Sequence, residues 1–388
     1  MLIQNKKIAV VGGGPGGLTL ARLLQLAGAD VKVFERDINK DVRVQGATLD
    51  LHEESGLKAL EKAGLMNAFK ANYRPGADKM RILDNNATIH FDDHKAKPIE
   101  DFGEEHFRPE IDRGPLRKIL LESLNDGTVI WNSKFQTMQK CKNGWEIVFE
   151  NKNSAYADII IGADGANSKI RPFLTSIKPI YSGITIIEAT IYSSEIESPQ
   201  IHQLLKGGKI FAFGGEKTLI VSSKENGEMS FYTSCKKDEN WFKDSNIDFK
   251  DKNQILEWFK VEYVEWDSIW QELFASEKTS FIPRPQYYFP LDQTWETQEN
   301  LTIIGDSAHV MPPFAGEGVN MAMLDALTLS ESLTNLNFKD TKTAIEDYEN
   351  KMRKKASEIT QLTLEQTESL HSTNAMKNMI GMFSQQPN

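Results

Sequence analysis

The chain has 388 residues, 40% of them hydrophobic and 26% charged, which suits a water-soluble globular protein with room for two or three cores. A net charge of −10 argues against a nucleic-acid-binding surface, and two cysteines, Cys141 and Cys235, in no metal-ligand spacing argue against a disulfide framework or a zinc site. No apolar run reaches membrane-span length and no signal-peptide pattern opens the chain, so the expectation is a cytoplasmic protein without membrane or nucleic-acid partners.

In chain order, residues 8–11 form an apolar strand that runs into Gly12-x-Gly14-x-x-Gly17, followed by a helical pattern and a second strand, 31–34, ending at Glu35. Gly12 allows the tight turn, Gly14 the close approach of backbone to a pyrophosphate, and Gly17 the packing of helix on strand. The N-terminus of that helix faces the phosphates with free N–H groups and a partial positive charge. Glu35 can accept from ribose hydroxyls, with Arg36 beside it. Strand, helix, strand and acid in this order point to an adenine dinucleotide. A helix is expected over 53–70, short strands at 80–83 and 88–91, a helix over 114–124, and strands at 128–131, 145–149 and 158–161. From residue 184 to 290 extended segments separated by Gly, Asn and Lys turns (210–213, 219–221, 230–233) predict an antiparallel domain, interrupted by a helix over 254–272. Residues 301–304 return as a buried strand, and the chain after Gly318 reads as mostly helical, its Met-rich end as helix packing.

Three further motifs sharpen the function. Gly162-Ala163-Asp164-Gly165 through Arg171 follows a buried strand; it reads either as a cofactor loop or as a strand-ending turn with Asn167 or Ser168 capping a helix. Gly305-Asp306 through Asn320 delivers a carboxylate suited to a polyol chain. A Pro-Pro turn and two glycines follow, then a helix start whose N–H groups on Gly318, Val319 and Asn320 would stabilise negative charge, as on a reduced isoalloxazine. Asp112-Arg113-Gly114-Pro115-Leu116-Arg117 puts a basic pair at a helix start, a cofactor contact or a surface ion pair. His309 reads as a structural histidine rather than a base.

Taken together, these motifs resemble the single-component FAD-dependent aromatic hydroxylases, the class A flavoprotein monooxygenases of the para-hydroxybenzoate hydroxylase type, over residues 6–355. A closer resemblance, carried by Val42 through His52, by Pro109 through Arg113, by Thr128 through Trp131 and by His309 through Gly316, is to the Tet(X)-type tetracycline-inactivating monooxygenases. The resemblance implies an α/β fold with a Rossmann-like FAD-binding domain (GR2-type), an antiparallel-sheet substrate domain and a long C-terminal helix. The expected division is 1–72, 100–172 and 296–342 for FAD, 73–99 and 173–295 for substrate, and 343–388 as the bridging helix. It implies FAD as cofactor and NADPH as electron donor. Gly12, Gly14, Pro15, Gly17, Glu35, Arg36, Asp50, Arg113, Arg117 and Asp306 would hold FAD, with Pro313, Gly316, Gly318, Val319 and Asn320 around the flavin. Arg43 would meet NADPH, and Asp164 would serve both cofactors.

The implied reaction begins with reduction of FAD by NADPH and addition of O2 as a C4a-hydroperoxide, which passes one oxygen to an electron-rich phenol or enol. No side chain acts as nucleophile and no metal is needed; Arg113 tunes the flavin. The substrate positions depart from the Tet(X) pattern. Asn, Gln, Arg and His of that subfamily become Ile186, Glu188, Lys209 and Ser230, and Asn and Met of its C-terminal helix become Gln366 and Leu370. Lysine loses arginine's planar fork, and glutamate adds a charge. Glu188, Lys209, Ser230, Phe314 and Gln366 are the expected substrate contacts, with tetracycline as one candidate, in a monomer. Two alternatives share the FAD motifs: an oxidoreductase without oxygen transfer, and a non-catalytic flavin or ligand-binding protein.

Overall fold

The apolar runs assemble into a five-stranded parallel sheet in the order Leu301–Ile303, Ile159–Gly162, Lys7–Val11, Asp30–Phe34, Val129–Ile130. Ile8 stands between Ile159 and Val31, and Val10 between Ile161 and Val33, all with 3% or less of their surface exposed. Its inner strands Ile159–Gly162 and Lys7–Val11 are covered on both faces, which is why residues 159–161 and 8–11 read as unbroken hydrophobic runs. The computed structural model describes residues 2–42, 46–95, 102, 107–276 and 279–384. Among these, no helix is long and apolar enough to cross a membrane.

A seven-stranded sheet forms the second layer, ordered Ile282–Tyr288, Ile180–Ile191, Met229–Lys236, Lys217–Ser223, Lys209–Gly214, Met80–Asp84, Ile89–Asp92. All its pairs are antiparallel except that of Lys209–Gly214 with Met80–Asp84. Alternate residues of a strand face opposite sides, and the register sorts them cleanly. Ile187, Ala189, Ile210, Ala212, Leu219, Val221 and Phe231 form one face, a buried core with Phe259, Tyr263, Trp270 and Phe274. The other face carries Phe211, Ile220, Tyr232, Glu188 and Ile282 in one row across the strands, and Phe213, Thr218, Ser234, Ile186 and Arg284 in the next. This inner face looks toward the parallel-sheet layer. A two-stranded connector lies between the layers, Leu49–Asp50 on Glu110–Ile111, with Asp50 directly opposite Glu110.

Helix Thr341–Leu370 spans about 45 Å at 1.5 Å per residue. The Asp340 side chain caps its start by accepting from Thr343 N–H at 2.9 Å. Near that end Tyr348 donates to the Ile303 carbonyl of the parallel sheet (2.9 Å), and buried Glu349 accepts from Thr297 and Thr302 (2.6 and 2.8 Å). At the far end the Leu370 carbonyl accepts from Thr218 (2.6 Å) and His371 Nε2 meets Ser234 Oγ at 2.9 Å, both on the inner face of the large sheet. His371 Nδ1 lies 2.7 Å from the Thr367 carbonyl, so Nδ1 carries the proton and Nε2 accepts from Ser234. Burial lowers the His371 pKa. A histidine held neutral in the fold takes up its proton only after unfolding, so its contribution fades as pH falls below about 6.5. Urea denaturation at pH 7 and pH 5 should therefore show a smaller acid loss of stability in His371→Gln than in the parent chain.

Several expected elements differ. The 53–70 helix is broken: a wide turn over Glu53–Leu57, helix Lys58–Lys62, then Gly64 at φ +72° before Met66–Lys70. The 254–272 helix ends at Glu262, and a 3-10 segment, Ser268–Phe274, restarts where Asp267 caps Ile269 N–H. The C-terminal helix breaks after Leu370 and resumes as Ala375–Ser384; between them Ser372, Thr373 and Asn374 have short polar side chains that compete for backbone hydrogen bonds. The strand Ile282–Tyr288 escaped sequence reading because Pro283 and Pro285 interrupt it, and it lies at a sheet edge, where proline is tolerated. After Asp164 there is only the 3-10 turn Arg171–Phe173, with Ser168 Oγ accepting from Ile170 and Arg171 N–H (3.2 and 2.9 Å).

Candidate functional site

The glycine loop leads from the strand Lys7–Val11 into helix Pro15–Leu26, with Pro15 at its first turn. Gly12 sits at φ +116°, and a side chain there would overlap the Ala163 carbonyl; one at Gly17 would overlap the Gly12 carbonyl. Gly14 is the opposite case, with no atom within 4 Å of where its Cβ would be. That glycine opens onto free space at a helix N-terminus. Glu35, 2% exposed, accepts from Gly13 N–H at 2.5 Å and from Asp37 N–H at 3.0 Å. It shapes the loop with both oxygens and keeps lone pairs for a further donor. Arg36, the next residue, is exposed. Arg117 turns away from the loop: its guanidinium donates to Asp37 (2.9 Å) and the Lys40 carbonyl (3.0 Å), beside the Trp131 ring. It fixes the segment after the second strand.

Asp306 opens the short helix Asp306–His309 behind Gly305, at φ +62°. It lies deep among protein atoms yet is exposed to water. That depth pushes its carboxyl pKa up, against the opposing charges of His309 and Arg113. Helix Gly318–Thr334 begins next to it, with the Gly318 Cβ position 4.0 Å from Asp306 Oδ1. Its first N–H groups, on Gly318, Val319 and Asn320, have no partner within the helix. The Asn320 side chain is committed elsewhere: it accepts from His52 N–H (2.9 Å) and Ser55 Oγ (3.3 Å) and donates to the Asp50 and Gly316 carbonyls (2.9 and 3.2 Å). Gly316, at φ +71°, leaves room for the Asp50 carboxylate. Burial pushes the Asp50 pKa up, but the His52 hydrogen bond at 3.1 Å and the charges of Lys209, His52 and Arg108 outweigh it and bring it to about 2. His309 is structural: buried, it meets Asp325 Oδ2 at 2.6 Å, and the same oxygen accepts from Gly305 N–H at 2.8 Å. Burial opposes its charge, and the Asp325 carboxylate overrides that and raises its pKa.

Arg113, the first residue of helix Arg113–Glu122, is exposed and lies across Gly46, where a Cβ would overlap its side chain. Asp164 is turned back on its own loop, accepting from Ser168 Oγ (2.5 Å), Lys169 N–H (2.7 Å) and Ile170 N–H (3.2 Å); neighbouring Gly165 faces open space. Arg171, buried and lacking any carboxylate partner among the described residues, donates to the Ser307 and Ala308 carbonyls (3.1 and 3.0 Å) and stacks on Phe289 at 3.5 Å. It clamps the segment that carries Asp306. Arg43 lies outside the described residues.

Ile186, Glu188, Lys209 and Ser230 share the inner face of the large sheet, by strand register. Their side chains are less free than their positions suggest. Lys209 forms an ion pair with buried Glu110. Burial opposes the Lys209 charge, but Glu110 and Asp50 outweigh it and raise its pKa. Glu188 pairs with Arg284, and Ser230 is 1% exposed, sealed within the sheet. Phe314 packs edge-on against the His371 ring at 5.0 Å, in the 3-10 turn Pro313–Ala315, and Pro313 is exposed; Gln366 is half-buried on the long helix. Sequence reading missed Tyr232, Phe211 and Arg284. Tyr232 is half-buried on the inner face directly opposite Glu188, and the alternation Ser230, Tyr232, Ser234 against Met229, Phe231 and Cys235 carries that signal.

A family model described as "FAD binding domain" matches residues 5–363. Monooxygenase asqM of Emericella nidulans is 30% identical, the match covering 87% of this chain and 86% of that protein. Klebsiella pneumoniae HpxO, solved with FAD and uric acid, superposes with a TM-score of 0.76 at 18% identity, over 98% of this chain and 92% of its own. The tetracycline destructase Tet(51) superposes with a TM-score of 0.71 at 18% identity, over 99% of each chain.

Proposed function

We propose that this chain, which belongs to the FAD binding domain family and is an FAD-dependent monooxygenase, hydroxylates an electron-rich phenol or enol with NADPH as electron donor. One observation carries the reading. Helix Gly318–Thr334 starts beside Asp306, its Gly318 Cβ position 4.0 Å from Asp306 Oδ1, and Arg113 is joined through Ala47 to Tyr232 of the inner sheet face.

The residues present fit FAD. Gly14 opens onto space at a helix N-terminus, as a pyrophosphate requires, and the deep, water-accessible Asp306 offers an acceptor to a polyol. Bound FAD supplies electron acceptance from the nicotinamide and activation of O2. The chain supplies the rest. Glu35 accepts from the adenosine ribose, Asp306 from the ribityl hydroxyls. Arg113 and the N–H groups of Gly318, Val319 and Asn320 stabilise negative charge at the isoalloxazine. Residues 311–318 wall the cavity, with Phe314 toward the substrate. Arg43 and the Asp164 loop serve NADPH. On this reading Asp306→Ala should weaken FAD binding roughly ten- to a hundredfold, the weight of hydrogen bonds to a charged acceptor, measured by flavin fluorescence titration.

Likeness to Tet(51) supports including a tetracycline among the substrates tested, while the Lys209–Glu110 and Glu188–Arg284 pairs support a different phenol or enol. The deciding experiment is mass spectrometry of a panel of phenols and enols, a tetracycline included, incubated with FAD-loaded protein, NADPH and 18O2. A product that gains one labelled oxygen only when NADPH is present supports the proposal and names the substrate. Turnover of a panel member without label would instead support oxidation without oxygen transfer.

A further inference from the structure

We infer that Tyr232 is a positioning residue that sets Arg113 from the opposite layer of the protein, so that the substrate-facing sheet and the flavin-facing cation are held through one shared peptide segment. Ala47 is the link. Its N–H donates to the Tyr232 hydroxyl at 3.3 Å, and its carbonyl accepts from Arg113 Nε–H at 3.2 Å. Gly46, at φ +126°, lies beneath the Arg113 side chain with no room for a Cβ, so the absence of a side chain there lets Arg113 lie on this segment. The charge of Arg113 is felt both at Tyr232 and at Asp306, so the three lie within one electrostatic neighbourhood.

Tyr232 is itself firmly placed. It stands on the strand Met229–Lys236 opposite Glu188, and Glu188 is held by Arg284. A phenylalanine at 232 would fill the same volume on the same face, so volume alone does not call for the hydroxyl. What the hydroxyl adds is an acceptor for the Ala47 N–H. Because it accepts there, its own proton remains available toward the inner face. A group that contacts this sheet can thus pull on the segment that orients Arg113, with no intervening rearrangement.

This rests on the reading above that Arg113 faces the flavin, and the test separates the two. FAD dissociation constants and flavin midpoint potentials are measured on the full-length holoprotein carrying Tyr232→Phe, Arg113→Ala, or both. Arg113→Lys is a fourth variant that keeps the charge and loses the Nε donor. The expected result for Tyr232→Phe is a two- to tenfold weaker FAD affinity, roughly one net hydrogen bond, together with a shifted potential. The double variant should match Arg113→Ala alone, and Arg113→Lys should resemble Tyr232→Phe. Equal, additive losses in the double variant, or an unchanged flavin in Tyr232→Phe, overturn the inference while leaving the role of Arg113 standing. An unchanged flavin in Arg113→Ala overturns that role, and this inference with it.

Discussion

Gly14→Ala should fold as stably as the parent and fail to hold FAD, whereas Gly17→Ala should be destabilised before any cofactor is added. The contrast comes from two glycines three residues apart. The backbone at Gly14 is extended (φ −77°, ψ 177°), open to any residue, and nothing stands within 4 Å of its Cβ position. A methyl group there meets only what binds, so the apo protein's urea midpoint should stay within about 0.5 kcal/mol of the parent. A pyrophosphate approaching that backbone meets the methyl directly. At Gly17 the added carbon overlaps the Gly12 carbonyl, backbone against backbone, with no flexible side chain to yield. The helix must shift off the strand, at a cost of about 3 kcal/mol, the upper end for overpacking. Absorbance near the flavin band after purification and urea denaturation of the apo proteins read the two effects separately. Equal destabilisation of both variants would mean that Gly14 is a packing residue.

The second large effect is expected at Lys209. Asp50 and Glu110 stand directly opposite each other on the two-stranded connector, a like-charge pairing that sheets avoid. Lys209 reaches across from the large sheet to Glu110, which is 2% exposed, and its charge also acts on Asp50. Lys209→Met would strand a buried carboxylate beside a second one, and should cost about 3–5 kcal/mol in urea denaturation. Lys209→Met combined with Glu110→Leu should recover most of that loss, since the unpaired charge goes with its partner. If Lys209 were a substrate ligand, the single variant would keep its stability and change only the Michaelis constant.

The glycine turn was legible because it is written in consecutive residues. A glycine turn, a helix start and an acid at the end of the next strand are local features, and Gly12 and Gly17 make the tight turn and the close helix–strand contact their spacing implied, while Glu35 accepts from the loop's own Gly13 N–H. The inner parallel strands were legible for a related reason, since burial on both faces leaves an unbroken apolar run. The substrate side was not. Whether Lys209 is free or paired depends on Glu110, 99 residues away, and whether Ser230 is open or sealed depends on how four strands lie side by side. Arg117 sits in the same basic pair as Arg113 and reads alike, yet the helix turns one guanidinium to Asp37 and leaves the other exposed across Gly46. Asp164 shows the same ambiguity resolved by its loop, which folds three donors onto the carboxylate.

The strict alternation of the large sheet has a consequence for descent. On its strands the positions that build the core against Phe259 and Trp270 and the positions on the inner face are different residues, interleaved one by one. A lineage can therefore exchange Ile220 on that inner face without touching the core behind Phe259 and Trp270. At such a position, change on the inner face and survival of that core are separable. Lys209, bolted to the connector, Glu188, paired with Arg284, and Tyr232, bonded to Ala47, mark the places where a change on that face would first endanger the enzyme that attempts it.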